Sequence, residues 1–354
     1  MVVLPPVSSG PYGRPRDGVD SPYPGGVDVW FVSAAGAEQH DLAGLPELLA
    51  REDGFTWVDV PQYDDAAHDV LHGTFGFHEL TLRACRERNH VPSTHAYSDY
   101  LFLVLLAPET GGMGHVHLIE LDQFIGRHFL VTVHGPINPA VPLERALVET
   151  TVALRRMEEG RLQPKTPMDL SYAIVSAMAR RQYAAVGDVA EKVAGLEQRV
   201  MVDDFRHPEA LLEEMFLVRH ELLTVRTMAA QCHDIYGRVT ALTGRAVPPE
   251  SQPLLADLGD QFNRVRNLSD GEKEFLFGVI DLYQTRVATR MTVAVERLAV
   301  LAAVTLPVTA VASVYGMNVI VNQHTHVPQL LLVLALMVAM SATLLRWTKR
   351  QGWW

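Results

Sequence analysis

The segment Tyr315-Gly316-Met317-Asn318 joins two long uncharged apolar runs. Asn318 brings an amide whose carbonyl oxygen accepts hydrogen bonds, and Gly316 lets backbones approach and turn without a Cβ clash. No carboxylate stands beside them. Upstream, Thr305, Thr309 and Ser313 recur at i, i+4 and i+8, a spacing that puts three hydroxyls on one face of a helix. Such a stripe either back-bonds to its own helix or lines water at the centre of an oligomer. Downstream, His324 and His326 offer imidazoles, which suit Zn²⁺, Ni²⁺ or Co²⁺ better than Mg²⁺.

The elements that must position these groups are two membrane spans. Leu298 to Gln323 and Val327 to Leu345 carry no charge, and a bilayer needs about 20 apolar residues per helix. Arg286, Arg290 and Arg297 precede the first run, and Arg346, Lys349 and Arg350 follow the second. The connecting segment has no Lys or Arg, so the flanking charge predicts both termini on the cytoplasmic side. Trp347, Trp353 and Trp354 read as an interfacial aromatic anchor beside the basic tail. Pro307 lies inside the first span, where membrane helices tolerate it if the freed carbonyl finds a partner. Two spans cannot enclose a pore in one chain, so a pore would need several copies in a lipid bilayer.

The rest of the chain bounds the partners. Its formal charge of −11 over 354 residues excludes a nucleic-acid binder, which needs a basic face, and suits a protein that handles cations. Cys85 and Cys232 form no metal-ribbon spacing and read as packing residues. Residues 1–26 are rich in Pro and Gly, lack a continuous apolar stretch and read as a disordered tail. Residues 27–142 hold short β-like runs, among them VDVWFVS, FTWVDV, DYLFLVLLA and HFLVTVHG, and read as an α/β domain. Residues 143–297 read as helical. Val186, Val189, Val193, Leu196 and Val200 recur at 3-4 spacing, as do Leu211, Met215, Val218, Leu222, Val225 and Ala229. That predicts two antiparallel helices with coiled-coil-like seams. A stalk helix then starts near Leu254 and runs toward the first span, about 60 residues or roughly 80–90 Å at 1.5 Å per residue, with Asn267 to Gly271 as a weak point. Residues 298–354 complete the membrane part.

These residues resemble the CorA family of divalent-cation channels, the two-span GMN group. Tyr315-Gly316-Met317-Asn318 stands where that family carries its YGMN signature. Trp57-Val58-Asp59-Val60-Pro61 is similar to its early strand motif, and Leu121-Asp122-Gln123-Phe124-Ile125-Gly126-Arg127-His128-Phe129-Leu130-Val131-Thr132-Val133-His134 to its strand pair. The resemblance implies an α+β membrane protein assembled as a homopentameric funnel in the cell's inner (plasma) membrane, with the first span of each copy lining the pore. It places the selectivity filter at Gly316, Met317 and Asn318, and the conduction path at Thr309, Leu306, Leu298, Thr292 and Asp281, with Thr305 and Ser313 beside them. Thr292 departs from the family's frequent Asn. Leu298 and Leu306 would form apolar rings able to gate by dewetting. The resemblance also implies regulatory metal sites between copies, at Asp257 and Asp260 with Glu109 as partner acid, so that Mg²⁺ is both cargo and regulator.

Mg²⁺ sheds water reluctantly. A ring of Asn318 carbonyls can hold the ion through its hydration shell, whereas direct carboxylate ligation would demand dehydration. Many relatives place an acid in the loop after GMN; here Gln329 falls near that position and no acid is present. With His324 and His326 in the same loop, Zn²⁺ transport, proton-coupled or not, is the rival to a passive Mg²⁺ channel that also passes Co²⁺ or Ni²⁺. A non-conducting membrane sensor is a further rival without a visible output domain. His72, His78, His90 and His95 have no HExxH-type spacing, and P-loop and G-x-S-x-G motifs are missing, so the sequence does not read as an enzyme or an ATP-driven pump.

Overall fold

A computed structural model describes residues 26–111, 115–136, 138–202, 208–242, 248–316 and 327–350. The N-terminal tail, Met317, Asn318, His324, His326 and the two terminal tryptophans lie outside these residues. The chain divides into two compact units: Met1–Ala194 with Glu209–Glu274, and Gly195–Pro208 with Phe275–Trp354.

The first unit is built on a seven-stranded sheet of order β2-β1-β3-β7-β6-β5-β4. Its strands are β1 (Asp28–Ser33), β2 (Gly36–His40), β3 (Gly54–Val60), β4 (Ser93–Ala96), β5 (Tyr100–Thr110), β6 (Val116–Gly126) and β7 (Phe129–His134). All neighbours pair antiparallel except β3 and β7, which run parallel. The two motif-bearing strands of the sequence reading, Trp57 to Val60 and Leu130 to His134, are that parallel pair. Nearly every residue of β5 is buried, as expected of a strand covered on both faces.

Alternation sorts the side chains. Val29, Phe31, Val58, Val60, Phe102, Phe124 and Val133 share one core with Ala67 and Leu71 of α2 (Asp65–Gly73) and with Leu82 and Cys85 of α3 (Glu79–Arg86). Each of the Val, Leu and Phe side chains contributes roughly 1.5–3 kcal/mol on full burial. Asp64 caps α2 by accepting from the Ala67 amide at 2.7 Å. On the opposite face Trp30 stacks on its cross-strand partner Trp57 at 4.6 Å. That face meets α5 (Val148–Glu158) and α6 (Pro167–Val202): the Thr150 hydroxyl lies 3.3 Å from His134 Nε2, and Ser171 donates to Gln123 at 2.6 Å. Two shorter helices, α1 (Leu45–Leu49) and α4 (Leu143–Ala146), complete the connections. Both cysteines are buried and free; burial pushes the Cys232 thiol up to about 12.

The helical part follows the sequence period. Every predicted seam residue of α6 and of α7 (Pro208–Ala241) is buried, from Val186 at 0% to Val218 at 5% exposed. After a 3₁₀ turn at Pro249–Ser251, α8 runs Gln252–Gly316 as one helical element, and α9 spans Val327–Arg350. The expected weak point at Asn267–Gly271 is helical instead. Ser269 is fully buried and back-bonds to the Val265 carbonyl at 2.8 Å. Asp270 accepts from Arg226 at 2.6 Å and from Lys273 at 2.9 Å, which ties the stretch to α7. In the second unit, Arg286 donates to the carbonyls of Val200 and Met201 at 3.1 and 2.6 Å, satisfying the last turn of α6.

Candidate conduction path and cation-sensing acids

Among the described residues two helices are long and apolar enough to cross a membrane: α8, in its C-terminal part, and α9. The predicted pore residues Asp281, Thr292, Leu298, Thr305, Leu306, Thr309 and Ser313 all lie on α8. At about 100° per residue they fall within an arc of about 140° on one side of the helix. Leu298 and Leu306 are 65% and 66% exposed in the single chain. Val279, Tyr283 and Val300 occupy the other side and are buried. Ahead of the span α8 packs Val279 and Tyr283 and leaves Asp281 and Thr292 exposed, while within the span it is exposed nearly all round, Leu301 and Val314 included. Gly316 is its last residue.

Three hydroxyls on this side, those of Thr292, Thr305 and Thr309, are committed as donors and open as acceptors. Thr305 donates to Leu301 O at 2.8 Å, Thr309 to Thr305 O at 2.8 Å and Thr292 to Ala288 O at 3.0 Å. A back-bonded hydroxyl keeps lone pairs directed away from the helix. It can accept from water in a cation's hydration shell without first giving up a bond. Of the stripe, Thr305 and Thr309 are back-bonded to their own helix.

The predicted sensing acids separate into two kinds. Asp257 accepts at one oxygen from Tyr172 at 2.7 Å and from Gln261 at 2.6 Å. These hydrogen bonds, Tyr172 first and Gln261 second, hold its carboxyl below the usual carboxylate range. Its second oxygen carries no hydrogen bond among the described residues, so Asp257 offers an ionised, oriented ligand. Asp260 is exposed on the same helix. Glu109 departs from its expected role. Arg145 Nε donates to Oε1 at 2.6 Å, and Arg181 Nη2 pairs with Oε2. Arg181 also reaches Glu149, 3% exposed in its side chain, at 2.8 Å. Two guanidiniums thus occupy both oxygens of Glu109, which acts as an internal anchor of β5 on α6 and not as a free cation ligand. Thr110 and Lys192 extend the anchor to α7 through Glu221, at 2.7 and 2.6 Å. Among the described residues no cluster of three His, Cys, Asp or Glu side chains is arranged to hold a metal ion within one chain.

Two further networks are absent from the sequence reading. Trp57 Nε1 donates to Thr132 Oγ1 at 3.0 Å; Thr132 donates to Asp59 at 2.5 Å; and His134 Nε2 lies 3.1 Å from the same Asp59 oxygen. Asp28 faces Asp59 across β1 and β3, and burial together with Asp59 raises its carboxyl to about 6. On the other face of the sheet, burial and then Glu120 raise the Asp122 carboxyl well above the usual range. Alternation along a strand marks such positions as inward-facing polar groups; only the tertiary structure shows their partners.

Residues 52–350 match the family described as CorA-like Mg²⁺ transporter protein. YfjQ of Bacillus subtilis (strain 168) is 24% identical over 327 residues, covering 91% of this chain and 98% of YfjQ. The cobalt/magnesium transport protein CorA of Thermotoga maritima is 19% identical over 292 residues, 79% of this chain and 77% of its own. Among solved structures, the complete CorA magnesium transporter from Methanocaldococcus jannaschii gives a TM-score of 0.77 at 17% identity, covering 93% of this chain and 98% of that one. The ZntB cytoplasmic domain from Vibrio parahaemolyticus RIMD 2210633 gives 0.57 at 13% identity, covering 74% of this chain and 98% of that domain. The sheet domain, the long helix and the two apolar C-terminal helices are those of the M. jannaschii structure. By its sequence over most of its length and by its fold, the protein belongs to the CorA-like family of membrane-embedded metal-ion transporters.

Proposed function

We propose that the protein is a passive channel for hydrated divalent cations, Mg²⁺ first, formed by five copies with both termini in the cytoplasm. The observation that supports this best is the shared side of α8: hydroxyls, two leucines and one aspartate on one arc, leading to Gly316 and on to Asn318 in sequence. Five such sides facing inward give rings of acceptors for hydration water, closed by two apolar rings at Leu298 and Leu306. Asn318 completes the filter with amide carbonyls. Membrane potential is a sufficient driving force, since a divalent ion crossing 100 mV gains roughly 4–5 kcal/mol. Asp257 and Asp260 sense internal cations by bridging copies, which favours the closed state; Glu109 takes no part.

The second reading is Zn²⁺ transport, favoured by His324 and His326 in the connecting segment. Flux into liposomes holding the purified full chain separates the two. Mg²⁺ is expected to enter faster than Zn²⁺ and without dependence on a pH gradient. Asn318→Ala is expected to lower Mg²⁺ flux at least tenfold, and near-normal flux would sink the filter assignment.

A further inference from the structure

The sheet domain carries a pair of imidazoles that the conduction path does not use. His68 and His72 stand four residues apart on α2, in the run His68-Asp69-Val70-Leu71-His72. Side chains at i and i+4 lie one above the other on a helix, with Cβ atoms about 5–6 Å apart. The two rings have centroids 5.7 Å apart and planes within 11° of each other. H-x-x-x-H is the spacing with which one helix brings two histidines to a single metal ion. An ion held by both rings at about 2.0–2.1 Å sets their centres about 5 Å apart, so a rotation of the exposed His72 ring toward His68 closes the pair.

A second observation concerns the ring behind the pair. His68 is half-buried, and Tyr63 Oη lies 2.7 Å from its Nδ1. Tyr63 stands between β3 and α2 and packs against the core that holds Ala67, Leu71 and Leu82. Burial, and after it Cys85, push the Tyr63 hydroxyl up to about 12, so it stays a neutral phenol able to accept from Nδ1–H. A proton on Nδ1 leaves a bare lone pair on Nε2. That is how a hydrogen bond to one ring nitrogen prepares the other for a metal. The His72 ring has no hydrogen bond among the described residues, so neither of its nitrogens is committed.

The charge around the pair suits a cation. At about 100° per residue, Asp65, His68, Asp69 and His72 fall within an arc of about 100° on one side of α2. Asp65 pairs with Arg86 at 3.7 Å, whereas Asp69 has no ion pair among the described residues. Arg86 offsets one carboxylate, and the other lowers the cost of bringing a divalent charge to this side of the helix.

Among the described residues no third His, Cys, Asp or Glu side chain joins the two rings in a metal-holding group. The site therefore consists of two nitrogens, with water in the remaining positions, and is an open, exchangeable site in contrast to a closed structural one. Imidazole favours Cu²⁺, Ni²⁺, Co²⁺ and Zn²⁺, whereas Mg²⁺ takes oxygen ligands and keeps its water. We propose that His68 and His72 form a two-imidazole binding site for a divalent transition-metal ion on the sheet domain, with Tyr63 as the positioning residue for His68. The site is separate from the path proposed for hydrated Mg²⁺ and gives this domain a ligand that Mg²⁺ does not replace.

The test uses the untagged full chain in detergent, carrying His324→Ala and His326→Ala so that the connecting segment adds no imidazole. Calorimetric titration with Ni²⁺ in the presence of excess Mg²⁺ is expected to show one site per chain. His72→Ala, a change at an exposed position that spares the fold, is expected to weaken Ni²⁺ at least tenfold, and His68→Ala likewise. Tyr63→Phe, which keeps the ring and removes the hydrogen bond, is expected to weaken it severalfold. With Cu²⁺ as the probe, the electron paramagnetic resonance spectrum is expected to show coupling to two imidazole nitrogens, falling to one in His72→Ala; a pair that served packing alone would give no such signal. No Ni²⁺ binding, binding that Mg²⁺ displaces, or binding that His72→Ala leaves unchanged overturns the proposal. Unchanged binding in Tyr63→Phe overturns the positioning role of Tyr63. The readout is binding and not flux, so it stands or falls apart from the transport reading.

Discussion

Asp28→Asn is expected to stabilise the sheet domain at neutral pH and to do so progressively less as the pH falls. Asp28 is 9% exposed and faces Asp59, 1% exposed, on the adjacent strand. Gln39 reaches it only at 3.4 Å. Burial first, and Asp59 second, raise its carboxyl from 3.8 to about 6. The folded state therefore holds the proton more tightly than the unfolded chain. The resulting stability is fully present below pH 3.8 and is lost as the pH rises through about 6. A full conversion of that difference gives ~3 kcal/mol at pH 7. Water near the strand end screens part of it, so the expected gain of the amide is ~1–2 kcal/mol. At roughly 2–4 °C per kcal/mol for a domain of this size, the melting temperature rises by roughly 2–8 °C. Thermal unfolding of the full chain in detergent between pH 4.5 and 8 reads this directly. The amide keeps an acceptor for Gln39, and its N–H₂ takes the place of Oδ2, a buried oxygen already without a partner among the described residues. A gain that is the same at pH 4.5 and pH 7.5, or a loss at both, would refute the assignment of strain to the buried, ionised Asp28.

Other substitutions probe the remaining arguments. Arg181→Met leaves Glu109 and Glu149 without a guanidinium they both use, and is expected to cost about 3–5 kcal/mol in urea unfolding; a loss under 1 kcal/mol would show the anchor to be dispensable. Leu306→Asn wets one of the two proposed apolar rings, and is expected to raise resting Mg²⁺ flux into liposomes severalfold, with unchanged or lower flux counting against a gate there. Asp257→Lys replaces the ionised, oriented carboxylate, and is expected to weaken inhibition of current by internal Mg²⁺ at least fivefold, whereas Glu109→Gln is expected to leave that inhibition in place while lowering stability.

The sequence carried periodic burial well and pairwise chemistry poorly, for one physical reason. The seams of α6 and α7 were readable because helical burial repeats every three or four residues regardless of what lies opposite. The strands β2 and β4, GAEQH and STHA, were missed because each pairs on one side only and neither shows an apolar alternation. The fate of a carboxylate depends instead on which groups reach it, and those come from far along the chain. Glu109 and Asp257 look alike as acids placed by resemblance to the family. Glu109 meets Arg181, 72 residues away, and Asp257 meets Tyr172, 85 residues away. Of their partners only Gln261, four residues on from Asp257, was within reach of helix spacing. A guanidinium on each oxygen already supplies the positive charge a divalent cation would bring to Glu109. A phenol and an amide on one oxygen of Asp257 supply none, fix its direction and leave the other oxygen for a cation. Facing the same ion, Asp257 would present an oxygen already free, while Glu109 would have to give up a buried ion pair first.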